Sequence, residues 1–135
     1  EAVQAASLLA ENATHLAEAA NAAAFDRRLV IDAYDFAEQA VYFERLVASG
    51  ADPRTVERDF HSLARDYERL HSNFGRYGFE RQGRHLEDDF NEVRQAFYYT
   101  AETLRTAYAY SSPGRGYYAR GRGAGRYDLR FQLNF

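Results

Sequence analysis

Four residue types are missing from this chain: cysteine, methionine, tryptophan and lysine. Without cysteine the protein can form no disulfide bond and offers no thiolate to a metal ion, which excludes disulfide-stapled scaffolds and cysteine-based zinc sites. Long apolar runs are missing as well, because no stretch of about 18 apolar residues is present to cross a membrane as a helix. A chain of 135 residues can bury a sizeable core without such aids. We therefore expect one domain that is stabilised by packing alone.

The motifs of common catalytic and metal sites are missing too. There is no nucleophile elbow, phosphate-binding loop or zinc-protease helix. Glu68 and His71 form a single E-x-x-H pair, whereas a di-iron bundle needs two copies and further glutamates. His61 lies ten residues before His71, nearly opposite on a helix, and His15 and His85 have no obvious ligand partner. We predict that the protein is not an enzyme, with no catalytic residue, no metal and no cofactor.

Because lysine is absent, all 17 basic residues are arginine, and they are unevenly distributed. Residues 1–110 carry 12 basic and 19 acidic residues, a net charge of −7, whereas residues 111–135 carry five arginines and only Asp128, a net charge of +4. Arginine makes planar, multidentate and stacking contacts that lysine cannot make. The sequence therefore predicts an acidic body with a basic extension, two parts that attract each other.

What the sequence does contain is apolar residues that recur at helical spacing. The predicted helices span about 2–24, 26–49, 53–75 and 80–110. The third has the clearest start, because Asp52 is a good N-cap and Pro53 suits the first helical position. Gly50 is expected to end the second helix, and Gly75 and Gly78 the third. Four amphipathic helices joined by short breaks predict an all-α fold, an antiparallel four-helix bundle over residues 1–110.

Each predicted helix has one apolar seam, and the first seam is rich in alanine, whose small side chain implies close helix approach. In chain order the seams are Ala2, Ala6, Leu9, Ala13, Leu16, Ala20 and Ala23; Leu29, Ala33, Phe36, Ala40, Phe43 and Val47; Val56, Phe60, Leu63, Tyr67, Leu70 and Phe74; and Leu86, Phe90, Val93, Phe97, Leu104 and Ala107. The second helix has an adjacent seam, for which we expect a wide buried face: Val30, Tyr34, Ala37 and Val41.

Residues 111–126 form a linker in which Pro113 and five glycines prevent a helix from continuing. Its basic and aromatic residues are Arg115, Tyr117, Tyr118, Arg120, Arg122 and Arg126. The linker resembles the Arg- and Gly-rich, Tyr-interleaved segments of some RNA-binding proteins. That resemblance implies RNA binding, in which arginine contacts phosphate and the aromatic rings stack on bases.

The last nine residues, 127–135, alternate strictly between apolar and polar side chains, the pattern of a strand with one apolar face. The apolar residues are Tyr127, Leu129, Phe131, Leu133 and Phe135. A single strand cannot satisfy its own backbone hydrogen-bonding groups, so this one needs a partner. An exposed strand is a template for pairing with another chain. We therefore predict that residues 127–135 form a β-strand that docks onto a partner.

These observations favour an exported, non-enzymatic structural or assembly protein, whose C-terminal extension docks onto a neighbouring subunit to give a homo-oligomer or filament. Because the chain begins at Glu1 and not at methionine, we expect a mature form after signal-peptide removal, in an extracellular or periplasmic location. The alternative is a helical-bundle binding protein, which takes RNA through the linker or a small cofactor between its helices.

Overall fold

The structure, a computed structural model, describes residues 1–23, 26–77 and 84–107. Helices and short connections account for these ranges, which contain no strand. The helices are α1 (Ala2–Ala22), α2 (Arg27–Ala48), α3 (Pro53–Tyr77) and α4 (Arg84–Ala107). The expectation of four helices is confirmed. No helix in the described ranges is long and apolar enough to cross a membrane.

The chain divides into two units, Glu1–Thr100 and Ala101–Phe135. The described part of the second unit is the last two turns of α4, where Thr103 and Leu104 are buried. In those turns the Arg105 guanidinium donates to the Glu102 carboxylate one helical turn earlier, with an Nε to Oε1 distance of 3.3 Å. The predicted domain boundaries after residues 110 and 126, and the predicted strand 127–135, lie outside the described residues.

Two aspartates cap the helices that follow them, as short polar side chains at the N-cap commonly do. Asp26 Oδ1 accepts hydrogen bonds from the backbone N–H groups of Arg28 at 2.9 Å and Leu29 at 3.4 Å. Asp52 Oδ1 accepts one from the Thr55 N–H at 2.8 Å, and Pro53 is the first residue of α3. The start predicted for the third helix is confirmed.

Gly50 follows the end of α2 as predicted, whereas Gly75 lies just before the end of α3. Gly50 has φ +80°, the left-handed conformation that follows the end of α2. Gly75, in contrast, lies inside α3, which continues to Tyr77, so the helix ends within the break predicted over residues 75–79 but two residues after Gly75. A glycine inside a helix costs only about 0.5–1 kcal/mol, and the buried ring of Phe74 holds this turn against the core. Gly78 and the predicted break at Phe25 lie outside the described residues.

Ring contacts between α2 and α3 give their relative direction. Phe43 meets Phe60 with ring centroids 5.6 Å apart, and Phe36 meets Tyr67 at 6.0 Å. The earlier residue on α2 thus contacts the later residue on α3, so the two helices run antiparallel. All six predicted seam residues of α3 are buried, which confirms this seam.

Helices α3 and α4 are also antiparallel and share a stack of aromatic rings. Phe60 stacks on Phe97 with centroids 5.3 Å apart, and Phe74 stacks on Phe90 at 4.9 Å. Phe60 and Phe90 are buried as their seam positions predict. The seam of α4 does not extend as far as predicted, because Ala107 is exposed in the last turn.

Helix α1 packs through small side chains, as its alanine content predicts. Its buried residues are Ala5, Ala6, Leu9, Ala10, Ala13, Leu16, Ala17 and Ala20. The approach to α4 is close enough for the Thr100 hydroxyl to donate to the Ala5 carbonyl oxygen at 3.2 Å. Ala2 and Ala23, placed on the seam by their spacing, are only half-buried because they lie at the two ends of the helix.

The second seam expected on α2 is only partly buried. Ala37 is buried, Val30 and Val41 are half-buried, and Tyr34 keeps 38% of its surface exposed. The prediction of a wide buried face is therefore wrong at Tyr34. Thr14 is the α1 residue that lies beside Tyr34 and Val41, and its side chain leaves the outer edge of the seam uncovered.

Candidate functional site

An open groove lies along the outside of the α1–α2 pair. Its first part has a volume of about 400 Å³ and is lined by Thr14, Tyr34, Ala37, Glu38, Val41, Tyr42 and Arg45. Its second part has a volume of about 320 Å³ and is lined by Ala10, Glu11, Thr14, His15, Glu18, Val41 and Glu44. Because Thr14 and Val41 line both parts, the depression is continuous, and we refer to it as the α1–α2 groove.

The rim of the α1–α2 groove carries four carboxylates: Glu11, Glu18, Glu38 and Glu44. No basic side chain among the described residues lies within ion-pair distance of any of them. With Arg45 as the one arginine in the lining, the groove has a formal charge of −3 when His15 is neutral. The described part of the chain therefore leaves these carboxylates without a neutralising partner.

The sequence explains why these glutamates are unpaired within their helices. Helix α1 contains no arginine, so Glu11 and Glu18 have no partner on the same helix. Neither Glu38 nor Glu44 has an arginine three or four residues away on α2, the spacing at which helical ion pairs form. The lack of a neighbouring arginine is visible in the sequence alone.

Two tyrosines on α2 face the same groove. Tyr34 and Tyr42 are 38% and 53% exposed, and they lie eight residues apart, which is about 12 Å along a helix. Half-exposed tyrosine rings offer stacking surfaces to arginine guanidinium groups. The α1–α2 groove therefore combines acceptors for arginine with flat rings, over an apolar floor of Ala37 and Val41.

His15, at the edge of the groove, is paired across to α4. Its Nε2 lies 3.4 Å from Asp89 Oδ1, and the Asp89 side chain is the less exposed of the two. This contact joins α1 to α4, within residues 1–100, and accounts for a histidine that had no obvious partner in the sequence. It is an ordinary polar contact with no catalytic geometry around it.

His61 and His71 of α3 make local contacts and are not part of a metal site among the described residues. His61 Nε2 lies 4.0 Å from the carboxylate of Glu57, one turn earlier on α3. His71 is exposed and stacks on the ring of Tyr67 with centroids 6.0 Å apart. No three histidine, cysteine or carboxylate side chains among the described residues converge closely enough to hold a metal ion. The absence of a metal from the chain as a whole stays a prediction.

Among the described residues, Tyr67 is buried and the pKa of its phenol is strongly shifted. Burial raises the pKa of its phenol far above the ordinary value of 10.0, and the negative charge on Glu68 acts in the same direction. The hydroxyl has no hydrogen-bond partner among the described residues. The ring of Tyr67 stacks on Phe97 with centroids 4.2 Å apart and is almost wholly buried, so Tyr67 is a core residue.

The residues predicted to bind a partner lie outside the described residues: Arg115, Tyr117, Tyr118, Arg120, Arg122, Arg126, Tyr127, Leu129, Phe131, Leu133 and Phe135. What the structure adds is a surface on the body that the sequence analysis missed, the α1–α2 groove. Comparisons of the chain with protein-family models, curated proteins and solved structures find no match.

Proposed function

We propose that this protein is an exported, non-enzymatic assembly protein, whose C-terminal extension, residues 111–135, docks onto the body of a neighbouring copy. In this proposal residues 1–110 form an antiparallel four-helix bundle that serves as the body. The observation that supports it best is the unpaired negative charge of the α1–α2 groove. The extension of the same chain carries a net charge of +4.

The extension also needs a partner for reasons unrelated to charge. Its last nine residues place five large apolar side chains on one strand face, from Tyr127 to Phe135. Burial of each such side chain is worth about 1.5–3 kcal/mol, and strand pairing satisfies the backbone groups that would otherwise depend on water. Strand addition to a partner is an established way of binding an extended segment. Apolar burial therefore supplies affinity, and charge supplies orientation.

This arrangement is head-to-tail, because a donor segment on one copy binds a different acceptor surface on the next. Head-to-tail contacts close into a ring when the rotation between copies allows it, and otherwise they grow into a filament. We therefore propose a homo-oligomer or filament as the working form of the protein.

The rival function is binding of RNA through the Arg- and Tyr-rich linker, or of a cofactor between the helices. The acidic body disfavours RNA, since residues 1–110 carry a net charge of −7 and repel a polyanion. Absorbance of the natively purified protein separates these functions. An excess at 260 nm supports nucleic acid, and a visible band supports a cofactor.

The test of assembly is deletion of residues 127–135 from the full chain. We expect circular dichroism to show unchanged helicity, and light scattering to show a fall in mass to the 15.5 kDa scale of the monomer. A finer pair of variants places the same charge on opposite strand faces. Phe131→Asp should prevent assembly, whereas Gln132→Asp should leave it intact. The proposal fails if the truncated protein assembles normally, if its helices unfold, or if the full chain is already monomeric.

A further inference from the structure

We infer that the α1–α2 groove is the docking site for the Arg- and Tyr-rich linker, residues 111–126, of a neighbouring copy. This inference rests on the proposed function and deepens it by naming the acceptor surface. It assigns the linker to the groove and leaves the apolar strand 127–135 to bind elsewhere on the partner.

The groove and the linker carry opposite charges, with as many carboxylates in the groove as arginines in the linker. The groove presents four carboxylates with no ion-pair partner among the described residues. The linker has four arginines and no acidic residue: Arg115, Arg120, Arg122 and Arg126. Guanidinium groups bind carboxylates through paired, charge-assisted hydrogen bonds, which fix orientation as well as adding attraction. Seating the linker in the groove brings its four positive charges close to a formal charge of −3 and offsets most of the charge on both surfaces.

The aromatic and apolar side chains of the groove lining also suit the linker. Tyr34 and Tyr42 present half-exposed rings, on which guanidinium groups and the linker's own Tyr117 and Tyr118 can stack. The floor between the rings is made of small or half-buried apolar side chains, including Val41. The five linker glycines carry no side chain that would hold the backbone away from this shallow floor.

The linker is long enough to span the groove. The α2 part of the groove extends from Tyr34 to Arg45, and eleven residues of helix rise about 16 Å. Five residues of extended chain cover about the same distance. The stretch from Arg115 to Arg120 therefore spans the groove once, with an arginine at each end and the two linker tyrosines between them.

The size of the expected effect follows from the exposure of the groove. Exposed ion pairs contribute little individually, and salt screens them. Loss of three groove carboxylates should therefore weaken association about tenfold without abolishing it, because the apolar strand is still present. Removal of the strand should abolish it. These different outcomes separate a failure of this inference from a failure of the proposed function.

The experiment compares two triple variants of the full chain that change the net charge equally. The groove variant is Glu11→Gln, Glu18→Gln and Glu44→Gln. The control variant removes three exposed carboxylates that do not line the groove, Glu68→Gln, Asp88→Asn and Glu92→Gln. Association is measured by sedimentation equilibrium at low and at high salt. We expect about a tenfold loss for the groove variant at low salt, a smaller loss at high salt, and a change within about twofold for the control.

A charge swap tests which segment occupies the groove and whether it belongs to a second copy. One protein carries Glu11→Arg, Glu18→Arg and Glu44→Arg, and the other carries Arg115→Glu, Arg120→Glu and Arg122→Glu. Each should associate poorly alone, and an equimolar mixture should regain association. The inference is overturned if the groove and control variants behave alike, or if the mixture regains nothing. The latter result would place the linker on its own chain or on another surface.

Discussion

At the scale of single residues, Tyr67 is the centre of the aromatic core. Its ring contacts Phe36 of α2 on one side and lies parallel to Phe97 and Phe90 of α4 on the other. Only 1% of the residue is exposed, and its hydroxyl has no hydrogen-bond partner among the described residues. The ring therefore stabilises the core, while the buried oxygen carries an uncompensated desolvation cost.

Substitution at Tyr67 should separate these two contributions. Tyr67→Phe removes the buried oxygen and keeps the ring, so we expect the free energy of unfolding to rise by up to about 1 kcal/mol. Tyr67→Ala removes the ring as well and should lower it by about 3–5 kcal/mol. Chemical denaturation followed by circular dichroism measures both. A clear loss of stability in Tyr67→Phe would show that the hydroxyl has a partner and would contradict this account.

Two aspartates of the third helix region have pKa values shifted in opposite directions. The backbone N–H of Thr55 donates a hydrogen bond to the Asp52 carboxylate at the start of α3. This hydrogen bond holds the pKa of Asp52 below its ordinary value of 3.8. Burial raises the pKa of Asp59 above 3.8, against the opposing effect of the Arg58 charge. The charged form of Asp52 is thus favoured by folding, and the charged form of Asp59 is disfavoured.

These directions predict opposite pH dependences for two asparagine variants. The stability contributed by Asp52 is complete above pH 3.8 and is lost as the pH falls through its lowered pKa, so Asp52→Asn should melt below the wild type at pH 7 and converge with it in acid. Asp59→Asn should melt above the wild type at pH 7, because the destabilising charge is gone, and should converge with it below pH 3.8. Melting curves from pH 2 to 7 measure both. The same sign for the two variants at pH 7 would refute the assignment.

At the scale of helices, Gly50 and Gly75 show how the same residue type acts in two conformations. Gly50 follows α2 with φ +80°, which an L side chain adopts only with strain. Gly75 lies within α3, and a Cβ there would meet no atom within 4 Å. The first glycine is required by the turn, whereas the second only weakens a helix that packing of Phe74 already holds.

Replacement of these two glycines by alanine, one at a time, should therefore change the stability in opposite directions. Gly75→Ala should raise the free energy of unfolding by about 0.5–1 kcal/mol, since it reduces the entropy of the unfolded chain without strain in the helix. Gly50→Ala should lower it by about 1–2 kcal/mol through the cost of a left-handed residue. The two variants control for each other, because both add one methyl group in open space. Stabilisation by Gly50→Ala would mean that the end of α2 is wrongly described.

The helices were predictable from the sequence where the signal is local. The cap at Asp52, the first position at Pro53 and the seam of α3 depend on residues within a few turns of each other, and all are confirmed. The groove was not predictable in the same way, because the exposure of Tyr34 depends on which helix lies beside α2 and on which residues of that helix face it. The charge signal was nevertheless accessible, since glutamates such as Glu11 have no arginine at helical ion-pair spacing.

At the scale of the whole molecule, the chain separates its charges between two regions. The body carries −7 and the extension +4, although the net charge of the protein is only −3. Even mixing of these charges would favour isolated molecules with weak mutual attraction. Under the proposed function, separation of the charges makes the extension of each copy complementary to the body of the next. In the proposed function the same asymmetry gives the assembly a direction.

A directional assembly predicts that a copy with only the acceptor surface acts as a cap. A fragment of residues 1–110 retains the α1–α2 groove and lacks the extension, so it can accept a neighbour but cannot dock onto one. Added at one part in ten to the full chain, it should shorten filaments measured by electron microscopy, because each bound fragment stops growth at one end. The same fragment with Glu11→Gln, Glu18→Gln and Glu44→Gln should cap less effectively, since docking of the linker is weakened. If the fragment leaves the length distribution unchanged, the contact is not head-to-tail, and a symmetric interface would have to replace it.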